Sequence, residues 1–174
     1  MTPPATFDAC LALVWQFDGL KNDAAPGEHF ATTYGVTQMS WDAAEVQGIV
    51  EGDIADASIA DVTAIYRANY WNACGCPGMN PGVNLMVFNN AVVTGSGHSA
   101  RLLQRIVGAA EDGVVGPTTL RLANGYPVGA LIDKLKDADE TYYASLAKAS
   151  LFLKGWTRRE EFMAQKAHLM AGTN

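Results

Sequence analysis

The stretch QFDGLKND places Asp18 where an apolar segment gives way to a polar, glycine-bearing one. A carboxyl group in such a position could cleave glycosidic bonds, because that chemistry needs a protonated acid against the leaving oxygen. Asp followed by Gly is also typical of an ordinary helix end or turn. The residue types alone leave both interpretations of Asp18 open.

The cysteines and histidines do not predict a metal or cofactor site. Cys74 and Cys76 are separated by one residue, so a bridge between them would close a strained ring, and three cysteines including Cys10 cannot all pair. The three histidines lack the spacing of a zinc site. We expect free thiols in a reducing compartment, no metal and no cofactor.

The composition predicts one compact domain. The chain has 174 residues, of which 49% are hydrophobic and 17% charged, which is enough apolar mass for a sizeable core and unlike a disordered protein. The net charge is −6, and the longest basic cluster is the pair Arg158 and Arg159. The positive surface of a nucleic-acid-binding protein is therefore not expected, and nucleic acid is not a predicted partner.

The N-terminal segment predicts synthesis in the cytoplasm. No basic residue precedes a short apolar run over residues 9–15. That run is too short to cross a bilayer and lacks the form of a secretory signal. We expect no membrane insertion.

The spacing of apolar residues predicts a mainly α fold. Residues 83–93 are apolar almost all round, so this helix should be central, with helices 6–17 and 58–71 packed around it. Ser58 and Asp61 form a capping-box-like start for the helix over 58–71. Further helices are expected from Ser40, over 99–107, from Pro117 to about residue 125, and over 128–150 and 157–170. The alternating segment HFATTYGVT, within residues 18–37, predicts a small β-hairpin after the first helix.

Six ordered motifs resemble those of the family-108 glycoside hydrolases, lysozyme-like N-acetylmuramidases of bacteria and their phages. They are YGVT, IYRANYW, PGVNLMVFNNAVVTG, ARLLQRIVG, DGVVGPTTL and FLKGWTRR. The resemblance spans nearly the whole chain. It implies a lysozyme-like multi-helix fold in a single compact domain, residues 1–174, with a catalytic region over 1–96 and a helical peptidoglycan-binding region over 97–174.

The acid position departs from the family pattern. Family members carry E-G-G-Y at the end of the first helix, with the Glu as general acid, followed by D-P-G-G-x-T. A gap-free alignment places Phe17 at the Glu position, whereas deleting one residue from the turn places Asp18 there and keeps a carboxylic acid. The Asp of the second motif corresponds to Ala25, and its Thr is retained as Thr32. The second alignment is preferred because it keeps an acid at the helix end.

The other site residues follow from the resemblance and the chemistry it implies. Glu28 is the best-placed base in sequence and Asp23 the next, although Glu28 with His29 could equally form a solvated hairpin tip. An inverting mechanism would place the base about 6.5–9.5 Å from the acid, with room for a water. Trp15, Phe17 or Tyr34 could supply the apolar wall that raises the acid's pKa. The predicted site residues are Asp18, Glu28 and Thr32 for catalysis and Thr33, Tyr34 and Asn89 for substrate binding.

Three further features have a structural and a functional interpretation. Tyr66, Tyr70 and Trp71 are spaced as core residues, although an exposed ring could stack on a glycan. The segment DGVVGPTTL could present helix N–H groups to a ligand or form a structural loop. Trp156 with Arg159 suits a packing anchor and its polar neighbour.

Two functional classes remain. The first is a muramidase that cuts the β-1,4 bond between N-acetylmuramic acid and N-acetylglucosamine, as a phage endolysin or as a lysozyme carried by a virion or a secretion assembly. The second is a non-catalytic relative that binds peptidoglycan or forms a structural part of a phage tail or secretion assembly. In both cases we expect action at the bacterial cell wall or in a virion.

Overall fold

The computed structural model of the chain describes residues 5–18, 32–33, 35–146 and 149–173; the side chains of residues 18, 32, 33 and 149–151 lie outside this description. The described fold is mainly α, as the sequence predicts. Its eight α-helices are α1 (Phe7–Asp18), α2 (Gln38–Val46), α3 (Ile59–Tyr66), α4 (Val83–Thr94), α5 (Ser96–Val107), α6 (Pro117–Gly125), α7 (Val128–Ser145) and α8 (Ala149–Ala171). Short 3-10 turns cover Ile54–Asp56 and Cys76–Gly78.

Helix α4 is the centre of the molecule, which confirms the prediction made from its all-round apolar sequence. Every residue from Val83 to Ala91 is buried. The ring of Phe88 lies 5.8 Å from that of Phe7 on α1 and 5.4 Å from that of Trp71. A helix surrounded on all sides has no polar face, which is why its sequence has so little amphipathic pattern.

Close packing of α4 against α8 depends on the glycine that precedes α4. Gly82 has φ of +86°, a conformation that side chains rarely adopt. A Cβ atom at Gly82 would lie 2.4 Å from the backbone oxygen of Ala167 on α8. Glycine is therefore required both by the backbone conformation and by the close approach.

Helix α3 begins as predicted and ends in an unexpected way. The Ser58 hydroxyl accepts from the Asp61 amide, and the Asp61 carboxylate accepts in return from the Ser58 amide, so the capping box is present. After Tyr66 the chain continues as a π-helix over Arg67–Asn72. Tyr66 and Trp71 are buried, which confirms the prediction that they are core residues.

The described residues include one short strand pairing in the segment where the sequence predicts a small β-hairpin. β1 (Thr32–Thr33) and β2 (Val36–Thr37) pair antiparallel, Thr32 opposite Thr37 and Thr33 opposite Val36. The first three residues of the segment HFATTYGVT lie outside the described residues, so the extent of the predicted hairpin remains a prediction. The hydroxyl of Thr37 then caps α2 by accepting from the Ser40 amide at 3.2 Å.

The C-terminal helices differ from the prediction in their boundaries. The sequence predicts one helix over 128–150, but α7 ends at Ser145 and Leu146 is extended, with ψ of 144°. α8 begins at Ala149, well before the predicted start at 157, and runs through Gly155. No Gly or Pro stands between Ser145 and Ala149 to mark the break, so packing of α8 along α7 decides it.

The three cysteines are free and buried in the core. Burial raises the pKa of the Cys10 thiol to about 12 and that of Cys74 to about 11. Such thiols are poor nucleophiles at neutral pH. Within the described residues no group of His, Cys, Asp and Glu has the arrangement of a metal site, and no helix is long and apolar enough to span a bilayer.

Candidate active site

The C-terminal end of α1 lies among aromatic side chains. Phe17 is 36% exposed, and its ring contacts that of Phe162 on α8 at 5.3 Å in an edge-on arrangement. Two residues earlier, the Trp15 ring lies 6.1 Å from that of Tyr66. Asp18 is the last residue of the helix and directly follows Phe17. Its predicted role as the acid remains a prediction.

The guanidinium group of Arg159 lies at the same end of α1. Its carbon is 5.7 Å from the centre of the Phe17 ring, a cation–π arrangement, and the side chain is only 8% exposed. The sequence predicts Arg159 as the polar neighbour of a packing anchor. Trp156, the predicted anchor, packs at 5.4 Å against the ring of Tyr143.

The structure describes only some of the other predicted site residues. Thr32 and Thr33 form β1, so the backbone fixes their position next to β2. Asp23, Glu28 and Tyr34 lie outside the described residues. Their predicted roles remain predictions.

Asn89, predicted as a substrate-binding residue, lies in the interior of the protein. Its side chain is fully buried in α4. Its amide nitrogen donates to Oε1 of Glu160 at 2.8 Å, and its amide oxygen accepts from Nε of Arg159 at 2.7 Å. Both hydrogen bonds are internal to the protein, and the predicted contact of Asn89 with a substrate remains a prediction. Asn89 connects α4 to α8.

Asn89 belongs to a buried polar cluster that the sequence does not predict. Neighbouring Asn90 donates to Oδ1 of Asp139 on α7 at 2.5 Å, and the Tyr143 hydroxyl donates to Oε1 of Glu160 at 3.3 Å. These bonds bring the carboxyl groups of Asp139 and Glu160 into one buried cluster. Because a charge on one buried carboxyl group disfavours a charge on the other, protonation of at least one of them is favoured.

Burial controls the protonation of this carboxyl pair. Burial, followed by the negative charge of Glu160, raises the pKa of Asp139 well above its ordinary value. Burial also raises the pKa of Glu160 to about 7, against the lowering effect of the Asn89 hydrogen bond and of the Arg159 charge. Oδ2 of Asp139 and Oε2 of Glu160 have no N–H or O–H donor among the described residues. Protonation lowers the cost of burying these oxygens, because a neutral carboxyl group loses less hydration free energy than a charged one.

A series of side-chain contacts links the end of α1 to the buried polar cluster. Arg159 contacts the Phe17 ring and donates to Asn89, which donates to Glu160. One sequence feature could have indicated this cluster. The mostly apolar helix α4 carries two adjacent Asn residues, Asn89 and Asn90. Buried amides need buried partners, and charged residues on packed helices can supply them.

The comparisons with known proteins divide the chain into two regions. Residues 18–95 match the Glycosyl hydrolase 108 family, and residues 98–161 match a domain described as a predicted peptidoglycan domain. The first match begins at Asp18, the residue that ends α1. No curated protein matches the chain.

A solved structure resembles the whole chain. SagA of Brucella abortus superposes with a TM-score of 0.85 at 27% sequence identity, and the alignment covers 95% of each chain. The two family matches and this superposition agree with the order of motifs in the sequence. The chain therefore carries a glycosyl hydrolase 108 domain followed by a C-terminal predicted peptidoglycan domain.

Proposed function

We propose that the protein is a peptidoglycan hydrolase, an N-acetylmuramidase that cleaves the β-1,4 bond between N-acetylmuramic acid and N-acetylglucosamine. The observation that carries the proposal is the position of Asp18. It is the last residue of α1, directly follows Phe17, whose ring contacts that of Phe162, and is the first residue of the match to the glycosyl hydrolase family. The predicted peptidoglycan domain at residues 98–161 indicates the polymer.

The packing of Phe17 supports Asp18 as the acid. The Phe17 ring already contacts Phe162 and the Arg159 guanidinium group, so it serves as part of the apolar wall. Glycosidases of this kind need an apolar wall beside the general acid, because such a wall favours the neutral carboxyl form. A role for Phe17 in the wall agrees with the alignment that places Asp18, and not Phe17, at the position of the family's acid.

In the proposed reaction Asp18 donates its proton to the glycosidic oxygen as the bond to the sugar breaks. Glu28, or Asp23 in its place, removes a proton from a water that attacks the opposite face of the sugar ring. Thr32 positions that water, and Thr33 and Tyr34 contact the glycan. Asp is one methylene shorter than Glu, so the backbone must approach the substrate more closely, and an error near 1 Å costs about a hundredfold in rate.

The test is the release of muropeptides from purified peptidoglycan. Wild-type protein is expected to produce fragments with a new reducing end at muramic acid. Asp18→Asn keeps the shape but carries no proton to donate, so the rate is expected to fall about 10²–10⁴-fold. Asp56→Asn, an exposed carboxylate in a 3-10 turn far along the sequence, is the matched control and is expected to keep full activity.

The variant Glu28→Gln tests whether Glu28 is needed in addition to Asp18. Loss of activity in both Asp18→Asn and Glu28→Gln supports an acid and base pair. An Asp18→Asn variant with full activity would show that the acid lies elsewhere. Product anomers distinguish inversion from retention at the reacting carbon, and retention would contradict a water-activating base.

The alternative is a relative that has lost its chemistry. It is favoured by one sequence observation, because neither acidic position of the family pattern is kept as such and Phe17 stands at the acid in a gap-free alignment. A wild-type protein that sediments with sacculi but cleaves none of several peptidoglycans would establish this binding role.

We further propose that the protein acts at the bacterial cell wall after synthesis in the cytoplasm, in association with a phage or a secretion assembly. The polymer that the proposed reaction consumes is found there. Immunodetection in the wall fraction or in purified virions tests the location, and recovery from the cytoplasm alone would contradict it.

A further inference from the structure

A groove of about 680 Å³ lies between α5 and α7. On the α5 side it is lined by His98, Leu102, Arg105 and Ile106, which recur at helical spacing along one face. Leu102 is buried and Ile106 half-buried, so they form an apolar floor. The volume lies within the ordinary range for sites that bind small molecules.

The α7 side of the groove is also a single helical face. Lys134, Ala138, Thr141, Tyr142 and Ser145 line it at helical spacing. Ala138 leaves room at the centre because its side chain is small, and the polar residues lie on the rim. The groove is therefore formed by two regular helices and not by a loop, which gives it a fixed shape.

The aromatic ring of Tyr142 gives the groove a flat surface. It stacks on the ring of His98 at 4.3 Å between centres, with 39° between the planes. Burial first, and then the charges of Arg105 and Arg101, lower the pKa of His98, so this imidazole is neutral at pH 7. The pair is an uncharged aromatic wall.

The free charge in the groove is positive. Lys134 is exposed and makes no ion pair with any described residue. Asp137, which also lines the groove, is paired with Lys136 at 3.1 Å, and Arg105 is paired with Glu111 at 2.7 Å. An unpaired ammonium group beside an apolar floor favours an anion, in a chain whose net charge is −6.

We propose that the groove between α5 and α7 binds the stem peptide of peptidoglycan, with a peptide carboxylate on Lys134 and the peptide backbone against Tyr142. This inference rests on the proposed function for its ligand. Every residue that lines the groove lies within residues 98–161, the region matched by the predicted peptidoglycan domain.

The charge of the groove selects the peptide over the glycan. In intact peptidoglycan the muramic acid carboxyl group is bonded to the peptide, so the glycan chain there is neutral. The stem peptide carries free carboxylates from its acidic residues. Lys134 therefore has a counterpart in the peptide and none in the sugar chain.

The test is a titration of the complete chain with the soluble tetrapeptide L-Ala-D-Glu-diaminopimelate-D-Ala, followed by NMR. Lys134→Glu reverses the free charge at an exposed position and is expected to weaken binding about tenfold or more. Arg121→Glu, an exposed residue of α6 outside the groove, makes the same charge change and is expected to leave binding within about twofold, because surface charges far from a site are screened.

A variant with the opposite effect separates binding from folding damage. Asp137→Asn removes a negative charge from the groove lining and is expected to strengthen tetrapeptide binding, because the anionic peptide then meets less repulsion. Damage to the fold would weaken binding in every variant. Opposite signs for Lys134→Glu and Asp137→Asn therefore support the site, and equal signs overturn it.

A second titration uses the tetramer of N-acetylglucosamine in place of the tetrapeptide. Binding of the tetrapeptide but not of the tetramer in the groove supports the proposal. Binding of the tetramer alone, or no binding of the tetrapeptide by wild type, overturns it. The titration does not depend on bond cleavage, so a chain that hydrolyses peptidoglycan without binding the tetrapeptide loses this inference and keeps the proposed function.

Discussion

The buried carboxyl pair predicts that the protein loses stability as the pH rises from acid to neutral. The pKa of Glu160 is raised by burial from 4.5 to about 7 in the folded chain, so the folded state binds more protons than the unfolded state between these values. The stabilisation is complete below about pH 4.5 and is lost as the pH rises through about 7. At roughly 1.4 kcal/mol per pKa unit, the loss is on the order of 3 kcal/mol.

Asp139→Asn tests this reasoning by removing one of the two buried carboxyl groups. The Asn oxygen can still accept from Asn90, and one titrating carboxyl group is left in the cluster. Glu160 no longer meets a second buried negative charge, so the pH-dependent loss of stability should be smaller than in the wild-type protein. The free energy of unfolding in urea, measured from pH 5 to pH 8, gives both profiles.

The difference between the two profiles isolates the pair. Groups such as His98, whose lowered pKa acts in the opposite direction, contribute equally to both proteins and cancel. Asp56→Asn, the same substitution at an exposed site, should reproduce the wild-type profile. A wild-type stability that stays flat or rises from pH 5 to pH 8, or an Asp139→Asn variant with the full wild-type slope, would refute the protonation of the buried carboxyl pair.

Two further predictions concern the central helix. Phe88→Ala should lower the free energy of unfolding by about 3–5 kcal/mol, because the fully buried ring contacts three other aromatic rings; urea unfolding measures it, and a loss below about 1 kcal/mol would contradict the central position of α4. Gly82→Ala should lower the thermal midpoint clearly, because the added Cβ atom meets Ala167 and the backbone has positive φ. Gly125→Ala has open space around the new atom and should change the midpoint little; equal shifts for the two glycines would count against the close approach of α4 and α8.

Much of the fold could be predicted because its local signals agree with its packing. The apolar run over 83–93 predicts a buried helix, and Ser58 with Asp61 predicts a helix start; both follow from rules that act within a few residues. The end of α7 at Ser145 could not be predicted, since no breaker stands there and α8 decides the boundary. The π-helix over Arg67–Asn72 has no local signature in the sequence either.

The candidate site, like the fold, could be predicted from the sequence only in part. The position of Asp18 at a helix end follows from periodicity. The partners of Asn89 could not be predicted because Arg159 and Glu160 lie about 70 residues away in sequence. A long-range pairing of this kind depends on how α8 folds back, which no local pattern encodes.

The helices of the two matched regions pack against one another. Helix α4 belongs to the hydrolase match, yet one hydrophobic cluster joins its residues to Leu103, Leu131 and Leu135 of the peptidoglycan-domain match. A chain cut near residue 96 would leave α4 with a bare apolar flank and leave Asn89 and Asn90 without their carboxyl partners. Transfer of either region alone to another protein would therefore fail, and a gene that gained or lost one of them would need compensating changes in the other. The two regions match separate sequence families, yet one hydrophobic core stabilises both of them.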